Sequence, residues 1–212
     1  MKLFWGPHTC AIGIHILLEE AGLTYETEKL DVAGGATEQP EFLRINPKGK
    51  VPTLVRDDGS VLTEFGAIAT WIARQAPDAR LLPEDPEAEA RMTEVLEYVE
   101  GTVHGQGFGR IFKPERYAPQ DFLHEKAGLG QSTVKAQGKE MVEKSFAILD
   151  AQLAGRAFAA GPQFSIADTA LFYVERWAPQ EGIGLPTHLQ AHYDMMIARP
   201  ALQKVRAIWG ET

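Results

Sequence analysis

A proline-rich stretch between two unlike halves of the chain limits the possible folds more than any other sequence feature. Gln75–Pro86 contains three prolines and keeps no sustained apolar period. Proline interrupts regular structure, because its ring fixes φ and removes a backbone hydrogen-bond donor. Short apolar runs alternate with helical patterns before this stretch, and helical patterns alone follow it. We therefore predict two domains, 1–76 and 87–212, joined by a linker at 77–86.

The first part has the pattern of a small α/β domain. A turn at Asp57–Gly59 between two short apolar runs predicts a β-hairpin. Strands that alternate with helices are typical of an α/β unit. The predicted elements are a strand at Lys2–Trp5, a helix at Ala11–Ala21, a weaker strand at Thr24–Val32, a loop at Val32–Gln39, a hairpin at Val51–Leu62 and a helix at Phe65–Arg74.

Apolar residues recur at helical spacing throughout the second part. One stripe at i, i+3, i+4 and i+7 is formed by Met92, Val95, Leu96 and Val99. A longer helical pattern runs from Val134 to Leu153. The segment Ser165–Asp168 has the form of a capping box with Asp in place of the usual Glu, so a helix is predicted to begin there. The second part therefore reads as all-helical.

Charge and cysteine content exclude some classes of function and location. Lys plus Arg number 21 against 29 for Asp plus Glu, and the net charge of -8 repels a phosphate backbone. We expect no nucleic-acid partner. No apolar run approaches the ~20 residues that cross a bilayer, and the opening segment breaks at Gly6–Pro7, too early for a signal peptide. We expect no membrane association. The single cysteine cannot form an internal disulfide, which indicates a reducing, cytoplasmic location.

Cys10 is the first candidate functional residue. It follows the first predicted strand and opens the first predicted helix. A thiol there lies at the positive end of the helix dipole, which favours the thiolate and predicts a pKa below the usual ~8.5. Thr9 is in position to cap the same helix. The alternative is a structural role, because free cysteine is often a buried apolar residue.

Three motifs, taken in order, resemble landmarks of the cytosolic glutathione transferases. They are Gly49–Leu54 (GKVPTL), Leu62–Glu64 (LTE) and Ser165–Asp168 (SIAD). Asn46–Gly49 (NPKG), just before the first motif, strengthens the resemblance, and the spacing matches over nearly the whole chain. Within that family, Cys10 and His104 resemble residues of the bacterial beta class.

This resemblance implies a thioredoxin-like N-terminal domain followed by an all-α C-terminal domain. It implies an enzyme that uses the thiol of glutathione on small hydrophobic electrophiles. Because cysteine is a poor hydrogen-bond donor but a good nucleophile once ionised, we predict that thiol–disulfide exchange through Cys10 is favoured over conjugation. Glutathione, the co-substrate, would be held mostly by the first domain, and the second substrate would face the helices. The resemblance also implies a homodimer and a cis peptide bond before Pro52.

Specific contacts with glutathione follow from the same resemblance. The N–H and C=O of Val51 would pair with the cysteinyl backbone, and Glu64 would accept from the γ-glutamyl ammonium. Without the resemblance, Glu64 reads as a helix cap. The family most often has a small polar residue at the next position, whose hydroxyl meets the γ-glutamyl carboxylate. Here Phe65 offers only its backbone N–H.

Two basic residues complete the predicted site. Beta-class relatives usually offer a basic residue to the glycyl carboxylate from the loop at 32–39, where this chain has Gly34–Gly35. Lys50 either takes over part of that role or is a solvated surface lysine. His104 ends the helical pattern that starts at Met92, and it matches the beta-class histidine that approaches the cysteine sulfur. It would stabilise a thiolate or relay a proton, or else only complement the helix dipole.

The predicted site therefore has two groups of residues. The catalytic residues are Cys10 and His104, and the glutathione contacts are Thr9, Lys50, Val51, Pro52, Glu64 and Phe65. His188 and His192 are spaced like metal ligands on a helix, but no third ligand is evident nearby. We therefore predict no metal and an exposed helix face at these two histidines.

Two alternatives remain open on the same fold, because a fold does not fix a function. One is a non-catalytic protein that binds a hydrophobic ligand or a protein partner. The other is a glutathione-dependent lyase, dehalogenase or isomerase.

Overall fold

One mixed sheet forms the centre of the first part. In the computed structural model, which describes residues 1–118 and 127–211, its strands are β1 (Lys2–Trp5), β2 (Glu26–Lys29), β3 (Thr53–Val55) and β4 (Val61–Thr63). Their order is β2-β1-β3-β4. β1 pairs parallel with β2 and antiparallel with β3, which pairs antiparallel with β4. The predicted hairpin and the α/β character of this part are confirmed.

Three α-helices lie beside the sheet within the described residues 1–75. They are α1 (Ala11–Glu20), α2 (Pro40–Leu43) and α3 (Phe65–Gln75). α1 crosses between the parallel strands β1 and β2, and eight of its ten residues are buried. A helix that is apolar around most of its girth needs partners on several sides. α1 has them, because it contacts β1, α3 and two helices of the second part.

The second part is helical, as predicted. Its helices are α4 (Pro86–Glu97), α5 (Gly109–Phe112), α6 (Ala127–Leu153), α7 (Ile166–Trp177), α8 (Thr187–Ile197) and α9 (Pro200–Trp209), and a π-helical segment, Tyr98–Phe108, joins α4 to α5. Among the described residues after Thr63, the only β interaction is a single bridge between Phe158 and Gly161. The predicted fold class, a thioredoxin-like domain followed by an all-α domain, is confirmed.

α7 is the central helix of the second part, and each of its residues is buried. The predicted capping box starts it. The Asp168 carboxylate accepts the Ser165 N–H at 2.7 Å and the Ser165 hydroxyl at 3.0 Å. The Asp168 N–H donates in return to the Ser165 carbonyl at 3.1 Å. This reciprocal pairing satisfies backbone groups that a helix end otherwise leaves unpaired.

The predicted exposure of the two helical histidines is correct for His188 and wrong for His192. His192 is 3% exposed, with Nδ1 2.9 Å from the Glu175 carboxylate and Nε2 3.1 Å from Asp168. Burial disfavours the charged ring, but the two carboxylates outweigh it and raise the pKa of His192 to about 10. His192 therefore pairs with carboxylates in the core. Within the ranges 1–118 and 127–211, no group of three or more His, Cys, Asp or Glu side chains is arranged to hold a metal ion.

The last helix ties the two parts together. The Trp209 ring of α9 stacks on Trp5 of β1 with centroids 4.3 Å apart, and its indole N–H donates to His15 Nδ1 at 2.9 Å. Arg199 pairs with Glu20 of α1 at 2.7 Å. One continuous hydrophobic cluster runs through both parts. None of the described helices is long and apolar enough to span a membrane.

Candidate functional site

Cys10 lies where β1 passes into α1, directly before the first helical residue. Its thiol donates toward the Val51 carbonyl, with Sγ 3.9 Å from the oxygen. The two come together because β3, which follows Val51, pairs with β1, which precedes Cys10. The Val51–Pro52 peptide bond is cis, as predicted. The sheet pairing therefore brings Cys10, Val51 and Pro52 to one place.

The prediction that the helix start lowers the pKa of Cys10 is wrong. Burial and the negative charges of Glu100 and Glu64 raise the pKa of Cys10 to about 12. The side chain is 8% exposed, so the thiolate would lose most of its hydration. In the protein without bound glutathione, Cys10 is therefore a neutral thiol at physiological pH.

Thr9 does not cap α1. Its hydroxyl donates instead to the Gly6 carbonyl at 2.7 Å, and α1 has no side-chain cap. Thr9 therefore closes the turn between β1 and α1.

An asparagine holds the segment that carries the predicted backbone contacts. The Asn46 amide donates to the Lys50 carbonyl at 2.8 Å and to the Thr53 hydroxyl at 2.9 Å. The Thr53 hydroxyl donates to the same Lys50 carbonyl at 2.8 Å. Asn46 is buried, whereas the Lys50 side chain is exposed. The Asn46–Gly49 motif thus positions Lys50, Val51 and Pro52, a role that the sequence did not reveal.

Glu64 stands in an unusual backbone conformation at the start of α3. Its φ is 71°, in the region that favours glycine, and such strain often marks functional positions. Lys48 donates to the Glu64 carboxylate at 2.6 Å and to the Thr63 hydroxyl at 2.9 Å. Both side chains of the pair are more than half exposed. The carboxylate is therefore accessible, and Lys48 is a partner that sequence reasoning missed.

Phe65 points into the protein. It is 5% exposed, and its ring meets that of Tyr173 edge-on with centroids 5.2 Å apart. It also lies against Gly13 of α1, where a Cβ would come within 2.7 Å of the ring. The position next to Glu64 thus serves packing between helices.

Glu100 is a second carboxyl group near Cys10 and Glu64. It accepts the Gly66 N–H, while burial and the charges of Glu97 and Glu64 raise the pKa of Glu100 to about 7. Its buried Oε1 has no hydrogen-bond partner among the described residues. Glu64 and Glu100 border a cleft of about 770 Å³ between α3 and α4. A second cleft of about 480 Å³, lined by His15 and Lys204 among others, contains none of the predicted site residues.

His104 does not end a helix, because the π-helical segment continues through it to Phe108. Its Nδ1 lies 3.3 Å from the Tyr173 hydroxyl, and its ring packs edge-on against Tyr173 and Trp177. Burial, with a contribution from the positive charge of Lys50, lowers the pKa of His104 to about 4. The ring is therefore neutral at physiological pH. His104 does not supply a positive charge that would stabilise a Cys10 thiolate.

Sequence reasoning missed Tyr173 and Glu100 as members of this site. Tyr173 lies in α7, where every neighbour is a core residue, so its hydroxyl gave no signal. Glu100 follows the stripe of α4 and reads as an ordinary charge on a helix. Lys48 belongs to the Asn46–Gly49 motif, so it is the one of these three residues that a sequence motif could have indicated.

Comparison with known proteins decides the family. The glutathione S-transferase N-terminal domain model matches residues 9–75, and the corresponding C-terminal domain model matches residues 117–200. Glutathione S-transferase GstA of Escherichia coli O157:H7 is 33% identical over 214 residues, which cover 99% of each chain. The chain belongs to the glutathione S-transferase family.

Two solved structures show the same likeness in three dimensions. A Sulfitobacter glutathione transferase homologue, solved with bound glutathione, superposes with a TM-score of 0.89 at 30% identity, covering 98% of this chain and 97% of the other. A beta-class glutathione S-transferase of Sphingomonas chungbukensis gives a TM-score of 0.84 at 31% identity and full coverage of both chains. This glutathione transferase is therefore of the bacterial type.

Proposed function

We propose that this glutathione transferase holds glutathione on domain 1–76, with the reacting sulfur beside Cys10. The observation that carries the proposal is the 3.9 Å approach of the Cys10 sulfur to the carbonyl of Val51. Family resemblance assigns the backbone of Val51 to the cysteinyl residue of glutathione. A glutathione bound in that way brings its own sulfur next to Cys10.

The remaining contacts follow from the groups around that point. Glu64, accessible at the start of α3, would accept from the γ-glutamyl ammonium in place of Lys48. The Phe65 N–H would donate to the γ-glutamyl carboxylate at the helix start. Lys50 would meet the glycyl carboxylate. Thr9 supports the turn that precedes Cys10.

Conjugation is the reaction that the charge state of Cys10 supports best. A neutral thiol donates a weak hydrogen bond to the sulfur of glutathione and stays reduced itself. The glutathione thiol then loses its proton to solvent water, its sulfur bonds to the electrophilic carbon, and the leaving group departs with the electrons of the bond that breaks. The electrophile would be small and hydrophobic and would approach from the helical side. His104 and Trp177 contact one another there, and Phe112, which contacts Trp177, is 41% exposed.

Thiol–disulfide exchange at Cys10 is the second candidate, favoured by the same proximity of Cys10 to Val51. In that reaction the Cys10 thiolate attacks glutathione disulfide, forms a mixed disulfide and releases one glutathione thiolate. The ammonium of a bound γ-glutamyl group would offset the Glu64 charge that opposes ionisation of Cys10.

The partners and location are proposed with the function. The enzyme would be a cytoplasmic homodimer with a helical domain at 87–212 and a linker at 77–86. Closed two-fold dimers are the commonest soluble oligomers. Light scattering at micromolar concentration should give about twice the 23.4 kDa chain mass, and a value at the chain mass contradicts the dimer.

Calorimetric titration with glutathione and conjugation of chlorodinitrobenzene test the function together. Glu64→Ala should weaken glutathione binding at least about tenfold, because a charge-assisted hydrogen bond contributes about 1.5–3 kcal/mol. Glu41→Ala, at an exposed carboxylate of the same domain, is the matched control and should bind normally.

Cys10→Ala separates the two reactions. The Cys10→Ala variant should still conjugate the chlorinated substrate. After incubation with glutathione disulfide, mass spectrometry should show added glutathione on the parent protein and none on the variant. Binding without turnover in either assay favours a non-catalytic ligand-binding protein.

A further inference from the structure

A tyrosine hydroxyl is buried at the point where the helical domain meets the site. Tyr173 of α7 is fully buried, and its ring packs against those of Phe65, His104 and Trp177. The hydroxyl is the polar end of an otherwise apolar side chain and needs a partner. Among the described residues its partner is His104 Nδ1, at 3.3 Å.

The charge states of both groups fix the direction of this hydrogen bond. Burial raises the pKa of the Tyr173 phenol well above its ordinary value, and the negative charges of Glu100 and of an ionised Cys10 add to this, so the hydroxyl keeps its proton. His104 is neutral, with one ring nitrogen that donates and one that accepts. No other described residue accepts from the Tyr173 hydroxyl. It therefore donates to Nδ1, and the ring proton of His104 lies on Nε2.

The surroundings hold the ring in one orientation. Trp177 meets the His104 ring edge-on at 4.9 Å, and Tyr173 meets it at 5.4 Å. Tyr173 also lies close enough to Cys10 for the negative charge of a Cys10 thiolate, once formed, to raise the pKa of its phenol. Tyr173 therefore contacts His104 and also lies within electrostatic reach of Cys10.

We propose that Tyr173 is a positioning residue that holds the His104 ring with its proton on Nε2, so that the neutral histidine offers an N–H donor to the reacting sulfur. This inference rests on the proposed function of the site. His104 then acts by hydrogen bonding to a developing thiolate, without carrying a positive charge. Removal of the Tyr173 hydroxyl leaves the ring free to carry its proton on either nitrogen.

The test compares Tyr173→Phe with the parent enzyme. ¹⁵N NMR of the imidazoles at neutral pH, with His104 assigned from its absence in His104→Gln, should show a protonated Nε2 and an unprotonated Nδ1 in the parent. In Tyr173→Phe the population with the proton on Nδ1 should rise. The kcat for chlorodinitrobenzene should fall about tenfold, as for a mispositioned catalytic group, with the KM for glutathione nearly unchanged.

Tyr98→Phe is the matched control, because the Tyr98 hydroxyl bonds only to Ser145 at 3.1 Å among the described residues. It should leave the tautomer and kcat unchanged. A parent enzyme with the proton on Nδ1 overturns the proposal. A Tyr173→Phe variant with an unchanged tautomer, or with unchanged kcat, also overturns it. If the parent shows no turnover, the proposed function fails, and the tautomer measurement alone decides whether Tyr173 positions His104.

Discussion

Phe65 and Gly13 fit one another across the contact between α3 and α1. A Cβ at position 13 would lie 2.7 Å from the Phe65 ring and 2.8 Å from the Thr169 carbonyl. Real Cβ atoms do not approach that closely, so the absence of a side chain at Gly13 makes room for the ring. From the sequence alone, Phe65 indicated the loss of a hydroxyl contact to glutathione. In the structure, its ring packs against Tyr173 and Gly13.

Phe65→Ser should therefore destabilise the protein more than it helps binding. Loss of a buried phenylalanine costs about 3–5 kcal/mol, whereas a hydrogen bond to the γ-glutamyl carboxylate contributes about 1.5–3 kcal/mol. Urea denaturation measures the first quantity and calorimetry the second. Phe112→Ser, at a ring that is 41% exposed, is the control and should lose less stability. Equal losses in both variants would contradict the packing role.

The buried pair of His192 and Glu175 gives stability a pH dependence. Since the folded pKa of His192 is about 10 and its unfolded pKa is about 6.5, its contribution is complete below about pH 6.5 and is lost as the pH rises toward 10. His192→Gln leaves the Glu175 carboxylate buried without a charged partner, which should cost about 3–5 kcal/mol at neutral pH.

Urea unfolding of His192→Gln and the parent between pH 6.5 and 10 checks this prediction. The difference in the free energy of unfolding between the parent and His192→Gln should become smaller as the pH rises. His188→Gln, at the exposed histidine of the same helix, should match the parent throughout. A difference that stays constant with pH would show that His192 is not charged in the folded protein.

At the scale of elements, the start of α7 concentrates hydrogen bonds on one carboxylate. Asp168 accepts from the backbone of Ala159 at 2.6 Å and of Ser165 at 2.7 Å, as well as from the Ser165 hydroxyl. Ser165→Ala removes one of these bonds and should cost about 1 kcal/mol. Asp168→Ala leaves several buried donors unpaired and should cost at least about 3 kcal/mol. Chemical denaturation ranks the two variants, and equal costs would mean that the hydroxyl is the main cap.

The sequence predicted elements wherever a local signal marked their ends. The turn at Asp57–Gly59 and the capping box at Ser165 each depend on a few neighbouring residues, so they can be predicted from the sequence. The π-helical segment Tyr98–Phe108 was missed, because its apolar residues continue the spacing of the preceding α-helix.

The meeting of Cys10 with Val51 and Pro52 was predictable from the sequence, whereas the electrostatics around Cys10 were not. Cys10, Val51 and Pro52 meet through the pairing of β1 with β3, and the sequence indicated this grouping through the family resemblance. The pKa of Cys10 depends on burial and on Glu100, which tertiary packing alone brings near it.

At the scale of the whole molecule, the two domains share one core. α1 contacts both α7 and α9, and Trp209 stacks on Trp5 across the domain boundary. We expect one cooperative unfolding transition, with tryptophan fluorescence and far-ultraviolet circular dichroism coincident in urea. Trp209→Phe should shift both signals together to lower urea. Two separated transitions would show that the domains are stable independently.

Because Cys10 is the only thiol in the chain and is 8% exposed, the protein contains its own reporter of local opening. A thiol reagent reaches its sulfur only when the surrounding groups separate, so the labelling rate reports how often this corner opens. In a protein with a second cysteine, the measured labelling rate would combine the rates of both thiols. Here every labelled molecule reports reaction at Cys10. The factor by which a saturating ligand slows this labelling then measures how far that ligand suppresses the local opening.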